Sequence, residues 1–239
     1  MKSRASADPP SLPSGKTLRV WDLPTRVFHW VLAACVAALV ITAKTGPIDW
    51  HARLGYLALT LLVFRLLWGV LGGHWSRFAS FVYAPASLVA YLRGRAPLSH
   101  RIGHSPLGAL SVFGLLAVLL AQVATGLISD DEIAFTGPLN ALVSSAAGLA
   151  ATSYHRQIGQ WLIIGLVVLH VAAVLFYLLR RGDNLIRPML TGDKTLDGAS
   201  ASDAPSVPAS RDDVRSRVLA LVLIALSAAA TAWLVTLKS

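Results

Sequence analysis

The chain has 239 residues, 55% of them hydrophobic and 14% charged, with a mean hydropathy of +0.61. A soluble domain carries about 25% charged residues, so this composition reads as a membrane protein and excludes disorder for most of the chain. The lone Cys35 excludes a disulfide scaffold. A net charge of +9, placed in loops without interleaved aromatics, fits membrane topology and not nucleic-acid binding.

Residues 1–26 are polar, with Pro9, Pro10 and Pro13, and no cleaved signal peptide is expected. Leu32-Ala33-Ala34-Cys35 resembles a lipoprotein cleavage box, but its apolar run mostly follows the cysteine, so no lipidation is expected. A hydrocarbon core of about 30 Å needs about 20 helical residues. Five stretches qualify: 27–43, 54–73 (interrupted by Arg65), 105–129, 157–179 and 218–237. The run 78–92 is short and broken by Pro85. The run 133–154 is rich in Gly, Ser, Ala, Thr and Asn and contains Pro138. Both read as interfacial helices or loops. Residues 198–210 have the Ser/Ala/Asp/Pro composition of a flexible linker. The expected organisation is a segment 1–26, a four-helix core 27–180, a linker 181–216 and a fifth helix 217–239. That last helix reads as an appended anchor or a partner-binding element. The fold class is all-α transmembrane.

Of the Lys and Arg residues, 17 fall in the N-terminal segment and the connections after the second and fourth spans, against four on the alternate side. The positive-inside rule then puts the N-terminus in the cytoplasm and the C-terminus outside. The outer loop holds Asp130, Asp131 and Glu132, either a docking patch for a basic partner or a solvated helix end.

Ionisable groups at membrane depth are rare and usually functional. Of seven histidines, His29 lies near the start of the first span and His51 at the outer start of the second. His155 opens the fourth span, and His170 follows 15 residues later. That is about 22 Å along a helix and about 60° around it. His51 and His155 therefore share one depth, and His29 and His170 the other. Two facing imidazoles fit bis-histidine ligation of haem iron, whose other four ligands belong to the porphyrin. Zinc wants about four ligands at one depth, which the pairs do not supply. Gly55, Gly69, Gly108, Gly114, Gly126, Gly159 and Gly165 would let a flat macrocycle approach the helices. Arg26, Arg53, Arg65 and Arg156 lie near enough to neutralise propionates. His74 and His100 read as solvated loop residues. His104 could cap the third span, hydrogen-bond a propionate or contact a ligand. Trp21, Trp30, Trp50, Trp68, Trp75 and Trp161 read as an interfacial belt.

Four motifs, Arg26-x-x-His29-Trp30, Trp50-His51-x-x-x-Gly55, Gly103-His104-x-Pro106-x-Gly108 and the His155…His170 span, together resemble the prokaryotic cytochrome b561 family. That family includes the b-type subunits of nickel-iron hydrogenases. The resemblance runs from about Arg19 to Lys194. It implies a four-helix core with two haem b, His29 and His170 holding the cytoplasmic-side one and His51 and His155 the periplasmic-side one. In the family the fourth-span spacing can be one residue shorter, and one residue turns a side chain by about 100°. The fifth span lies outside the family's minimal core.

The resemblance implies an electron carrier between the quinone pool and a periplasmic c-type cytochrome or redox enzyme subunit. The quinone or quinol is expected beside His29 and His170, with Arg65 and His104 near it. No catalytic residue is assigned, and the chain reads as an electron-transfer protein or a quinol/quinone oxidoreductase subunit. There is no Cys-x-x-Cys-His, Gly-x-Gly-x-x-Gly or P-loop for a c-type haem, dinucleotide or ATP. Two alternatives stay open: the anchor subunit of a hydrogenase-like complex, and a haem-free transporter or scaffold. Membrane lipid is a further expected partner, and a homodimer stays open.

Overall fold

A computed structural model describes residues 16–95, 97, 99–196 and 208–237. The expectations for residues 1–15, for 198–207 of the linker and for Lys238 and Ser239 lie outside the described residues.

Five helices are long and apolar enough to cross a membrane among the described residues. The first, α1 (Leu23–Thr45), starts where Asp22 accepts from the Thr25 amide at 2.8 Å, with Pro24 in its first turn. It ends at Gly46, whose φ of 100° lets the Gly46 amide reach the Thr42 carbonyl. Pro47 follows, and α2 (Ile48–Leu71) returns antiparallel within two residues. The run 78–92 holds a short helix, α3 (Pro85–Leu92). One turn of helix, α4 (Ser99–Ile102), precedes the third span, α5 (Pro106–Ile128).

The run 133–154 splits in two. Its first part is loop. From Ser145 the chain is helical, and α6 (Ser145–Ser153) continues through a π turn (Tyr154–Gly159) into α7 (Gln160–Arg180). The 36-residue unit would be about 54 Å long at 1.5 Å per residue. That exceeds the roughly 30 Å apolar core of a bilayer, so the span projects well beyond it.

The fifth span, α9 (Val214–Thr236), is more than an appendage. Its Ala220 and Leu223 pack into a buried cluster with Phe28, Cys35, Phe64 and Trp68 of α1 and α2. Thr60 of α2 and Thr231 of α9 hydrogen-bond at 3.1 Å in the buried seam. Hydroxyls and small side chains supply interhelical contact where lipid offers no hydrophobic drive. A second cluster, Leu62, Leu116, Leu119 and Ile163, joins α2, α5 and α7. The outer face of α7, with Val168, Leu169 and Leu179, is exposed, as a lipid-facing surface requires.

The end of the bundle at which α1 begins, here called the basic side, is closed by a small cap. Strand β1 (Lys16–Arg19) pairs antiparallel with β2 (Asp193–Leu196), which follows a short helix, α8 (Ile186–Thr191). Val20, Trp21, Trp75 and Ile102 form its buried centre. The segment entering α9 is stitched into this cap. Ser210 donates from its amide to the Arg19 carbonyl, and Trp75 Nε1 donates to the Pro208 carbonyl. Asp212 accepts from Arg19, Arg217 and the Leu23 amide. Trp21, Trp68 and Trp75 are therefore core residues and not a belt, whereas Trp50 and Trp161 are exposed as a belt residue should be.

Candidate functional site

The bundle brings the membrane histidines together in two pairs. On the basic side, the His29 and His170 rings lie 6.4 Å apart, centroid to centroid. On the opposite side, called the loop side here, His51 and His155 lie 6.1 Å apart. Two imidazoles on opposite faces of one metal ion, each nitrogen about 2.0–2.1 Å away, place their centroids about 6.3 Å apart. Both pairs fit that spacing. Among the described residues no three His, Cys, Asp or Glu gather into a protein-only metal site.

The loop-side pair is tightly oriented. The Thr42 hydroxyl sits 3.2 Å from His51 Nδ1, and its own proton goes to the Ala38 and Leu39 carbonyls. The hydroxyl oxygen therefore accepts from His51 Nδ1–H. His155 Nδ1 lies 2.9 Å from the Gln122 carbonyl and 3.4 Å from the Thr125 hydroxyl. In both rings Nδ1 holds the proton, and Nε2 keeps the lone pair a metal needs. The rings line a cavity of about 930 Å³ between α1, α2, α5 and the fourth span. Gly55 faces this space with nothing within 4 Å of where a Cβ would stand, a cradle that a flat group can enter. Gly126 lets the His155 ring in, since a Cβ there would stand 3.1 Å from its Cε1.

The basic-side pair is differently furnished. Among the described residues His29 Nδ1 is enclosed and has no hydrogen-bond partner, and His170 Nδ1 has only the Ser111 hydroxyl at 3.5 Å. His104 lies nearby, packed between Trp21 at 4.7 Å and Phe81 at 4.2 Å, with its Nδ1 enclosed and without a partner among the described residues. It does not cap α5; Ser105 does, accepting from the Gly108 amide. Burial first, then the charges of Arg65 and His29, push His104 down to about 3, so it is neutral at physiological pH. His100, expected in solvent, is half-buried against the Tyr83 ring. His74 stands edge-on to Trp75.

The four arginines separate. Arg156 lines the loop-side cavity. Arg53 lies over the Trp50 ring and is not among the cavity's lining residues. Arg26 donates to the Leu190 carbonyl of α8 and stands 3.9 Å from Asp212. Arg65 is buried, donates to the Ser76 carbonyl at 3.1 Å and lies over the Phe78 ring. Residue position along a span does not reveal which way a long side chain turns. Among the glycines, Gly69 offers no cofactor space, because a Cβ there would strike Phe78.

The acidic loop is a turn before it is a patch. Asp131 Oδ1 accepts from the amides of Ile133, Ala134 and Phe135. Those bonds, from Phe135 first, hold its carboxyl below the usual range. The sequence reading missed Gln122, Thr42 and Thr125, which orient the loop-side rings. Polar residues within apolar spans were the signal available.

Comparison with known proteins bears on the same residues. The family model for prokaryotic cytochrome b561 matches residues 20–192. The probable Ni/Fe-hydrogenase 1 B-type cytochrome subunit of Escherichia coli (strain K12) is 24% identical over 212 residues, covering 72% of this chain and 88% of that protein. The probable Ni/Fe-hydrogenase B-type cytochrome subunit of Cupriavidus necator is 24% identical over 225 residues, covering 79% and 92%. No solved structure matches. Five apolar helices, paired membrane histidines and a family match over most of the chain displace the transporter or scaffold reading: this multi-pass membrane protein belongs to the prokaryotic cytochrome b561 family, and is a b-type cytochrome for electron transfer with haem b.

Proposed function

We propose that the chain is a di-haem cytochrome that carries electrons across the membrane between a quinone and a redox enzyme. The observation that carries this reading is the presence of two histidine pairs, each with the spacing of a bis-imidazole site. His29 and His170 would hold one haem b and His51 and His155 the other, within the core 27–180. When bound, each haem supplies one-electron storage at its iron. The protein's part is to fix the two rings of each pair, exclude water and set the local charge. Thr42 and the Gln122 carbonyl fix ring protons on the loop side. Arg156, which lines that cavity, would meet a propionate there, and Arg65 and Arg26 would supply positive charge on the basic side.

Lys and Arg asymmetry supports an inner-membrane orientation with the basic side in the cytoplasm and the C-terminus in the periplasm. The quinone would bind at the basic side, where His104 is a neutral group beside an aromatic wall. The hydrogenase subunits among its relatives favour a hydrogenase-type enzyme as the periplasmic partner over a c-type cytochrome. The exposed loop-side Ile133 and Leu142 are available to such a partner. The test is a reduced-minus-oxidised visible spectrum with a haem-to-protein ratio on the purified full chain. Two low-spin haems per chain are expected. A ratio of one or none would sink the di-haem reading.

A further inference from the structure

The fourth span carries a local irregularity at the position of one proposed ligand. His155 is the second residue of the π turn Tyr154–Gly159. A π turn closes i→i+5 bonds and so inserts one residue into a helix without moving what flanks it. In straight α geometry, 15 residues separate His155 and His170 by about 60°. With one residue absorbed, the rotation is that of about 14, near −40°. The turn therefore decides where the His155 ring points by about 100°, enough to aim it at or away from His51.

What stabilises the turn lies on α5. The Gln122 side-chain amide donates to the His155 carbonyl at 3.0 Å, and the Gln122 main-chain carbonyl takes His155 Nδ1 at 2.9 Å. One residue thus grips both the backbone and the ring of His155. Among the described residues the Gln122 amide oxygen is enclosed with no partner, so the donor bond to the His155 carbonyl is the polar contact that holds this amide group. Gly159, the last residue of the turn, makes this possible, since a Cβ there would stand 1.8 Å from Gln122 Oε1. Outside, the Gln160 amide donates to the Arg156 carbonyl, so both faces of the turn have side-chain partners.

We propose that Gln122 is a positioning residue: through its amide it holds the π turn of the fourth span, and the turn sets the His155 ring toward His51. This rests on reading His51 and His155 as a ligand pair. The role predicts that Gln122 matters only while the extra residue is present. Deleting Ile158, half-exposed on the turn, should return the segment to α geometry with His155 still facing His51.

The experiment uses the full chain in detergent, reading haem stoichiometry, the low-spin ferric EPR signals and the midpoint potentials. Gln122→Met keeps the side chain's length and removes the donor. It should halve the occupancy of the loop-side haem or shift its EPR signal, and leave the other haem's signal in place. The Ile158 deletion should retain both haems, and Gln122→Met in that background should change neither. Unchanged signals in Gln122→Met overturn the proposal. So does an equal effect of Gln122→Met in the deletion background, or loss of the loop-side haem in the deletion alone. If Gln122→Met does not fold, Gly159→Ala, which displaces the same amide, should give the same loop-side-only change, and its absence is equally fatal. Failure of the ligand reading looks different: wild type would lack two haems, or His155→Ala would keep both.

Discussion

The two histidine pairs share a ligand type and nearly the same ring spacing, yet their surroundings are opposites. On the loop side both Nδ1 atoms have acceptors in the bundle, Thr42 for His51 and Gln122 with Thr125 for His155. On the basic side, among the described residues, His29 Nδ1 has none, and the neutral His104 stands close by with the buried cation Arg65 acting on it in turn. A hydrogen bond from Nδ1–H makes an imidazole a stronger donor, which stabilises the oxidised iron and lowers its potential. A nearby buried cation does the reverse. Under the two-haem proposal, the loop-side haem is then the weaker electron acceptor and the basic-side haem the stronger.

The largest effect that could break this comparison is loss of a whole site. His51→Ala or His155→Ala should remove mainly the loop-side haem, and His29→Ala or His170→Ala mainly the basic-side one. Double variants within a pair should resemble their singles. The check is haem content with EPR of what remains. If His29→Ala and His155→Ala removed the same signal, the pairing would be wrong.

Filling the space should act almost as strongly and on one side only. Gly55→Leu would place a side chain in the loop-side cavity, where nothing stands within 4 Å of its Cβ. Leu in place of Gly favours a helix by up to about 1 kcal/mol, so the fold should tolerate the change. The expected result is a fall from two haems to about one, with the basic-side spectrum intact. Retention of both would mean that Gly55 does not face the macrocycle.

These variants also show what the sequence could reveal. Pairing by depth was legible because helical rise is nearly constant, so His155 and His170 differ by a fixed distance whatever surrounds them. The five spans were legible for the same reason of length and hydropathy. The π turn was not, because it depends on an amide 33 residues away on another helix. Nor was the cap: β1 and β2 are four residues each, and their partnership is decided across the whole core. The fifth helix shows no packing face in its sequence. Its seam is made of Ala220, Ser227 and Thr231, small residues whose value lies in closeness to α2. Arg53 and Arg65 were both placed near the pairs by position, but Trp50 draws one outward while Ser76 and Phe78 draw the other inward.

A finer effect sharpens the comparison without removing either site. Thr42→Val deletes the acceptor of His51 Nδ1 and keeps the shape of the side chain. A net hydrogen bond of about 0.5–1.5 kcal/mol corresponds to about 20–60 mV for one electron. The loop-side potential should rise by about that much and the basic-side potential should hold. Redox titration followed in the visible band would read both. A shift in the basic-side haem alone would reverse the assignment of the two signals.

The smallest expected effect concerns the quinone. His104 is the neutral group beside the basic-side pair, enclosed by Trp21 and Phe81, with one ring nitrogen unpartnered. An unpaired nitrogen in an enclosed site is costly unless something supplies the missing bond, and a quinone oxygen or a quinol hydroxyl would do so. His104→Ala should keep both haems, because neither pair contains it. Loss of one hydrogen bond to a neutral group, about 0.5–1.5 kcal/mol, should slow quinol-driven haem reduction by about two- to tenfold. The sign of its pH dependence follows from its pKa. Burial lowers the folded value to about 3, far below the usual histidine value of about 6.5. The proton that an unfolded His104 would take up as pH falls through about 6.5 is refused in the fold until about pH 3. His104 should therefore add no inflection to the rate between about pH 5 and 8, whereas any stability it contributes should be full above about pH 6.5 and decline as pH falls from there to about 3. An unchanged rate in His104→Ala would remove His104 from the quinone's surroundings, and reduction of the loop-side haem ahead of the basic-side one would move the quinone to the other face.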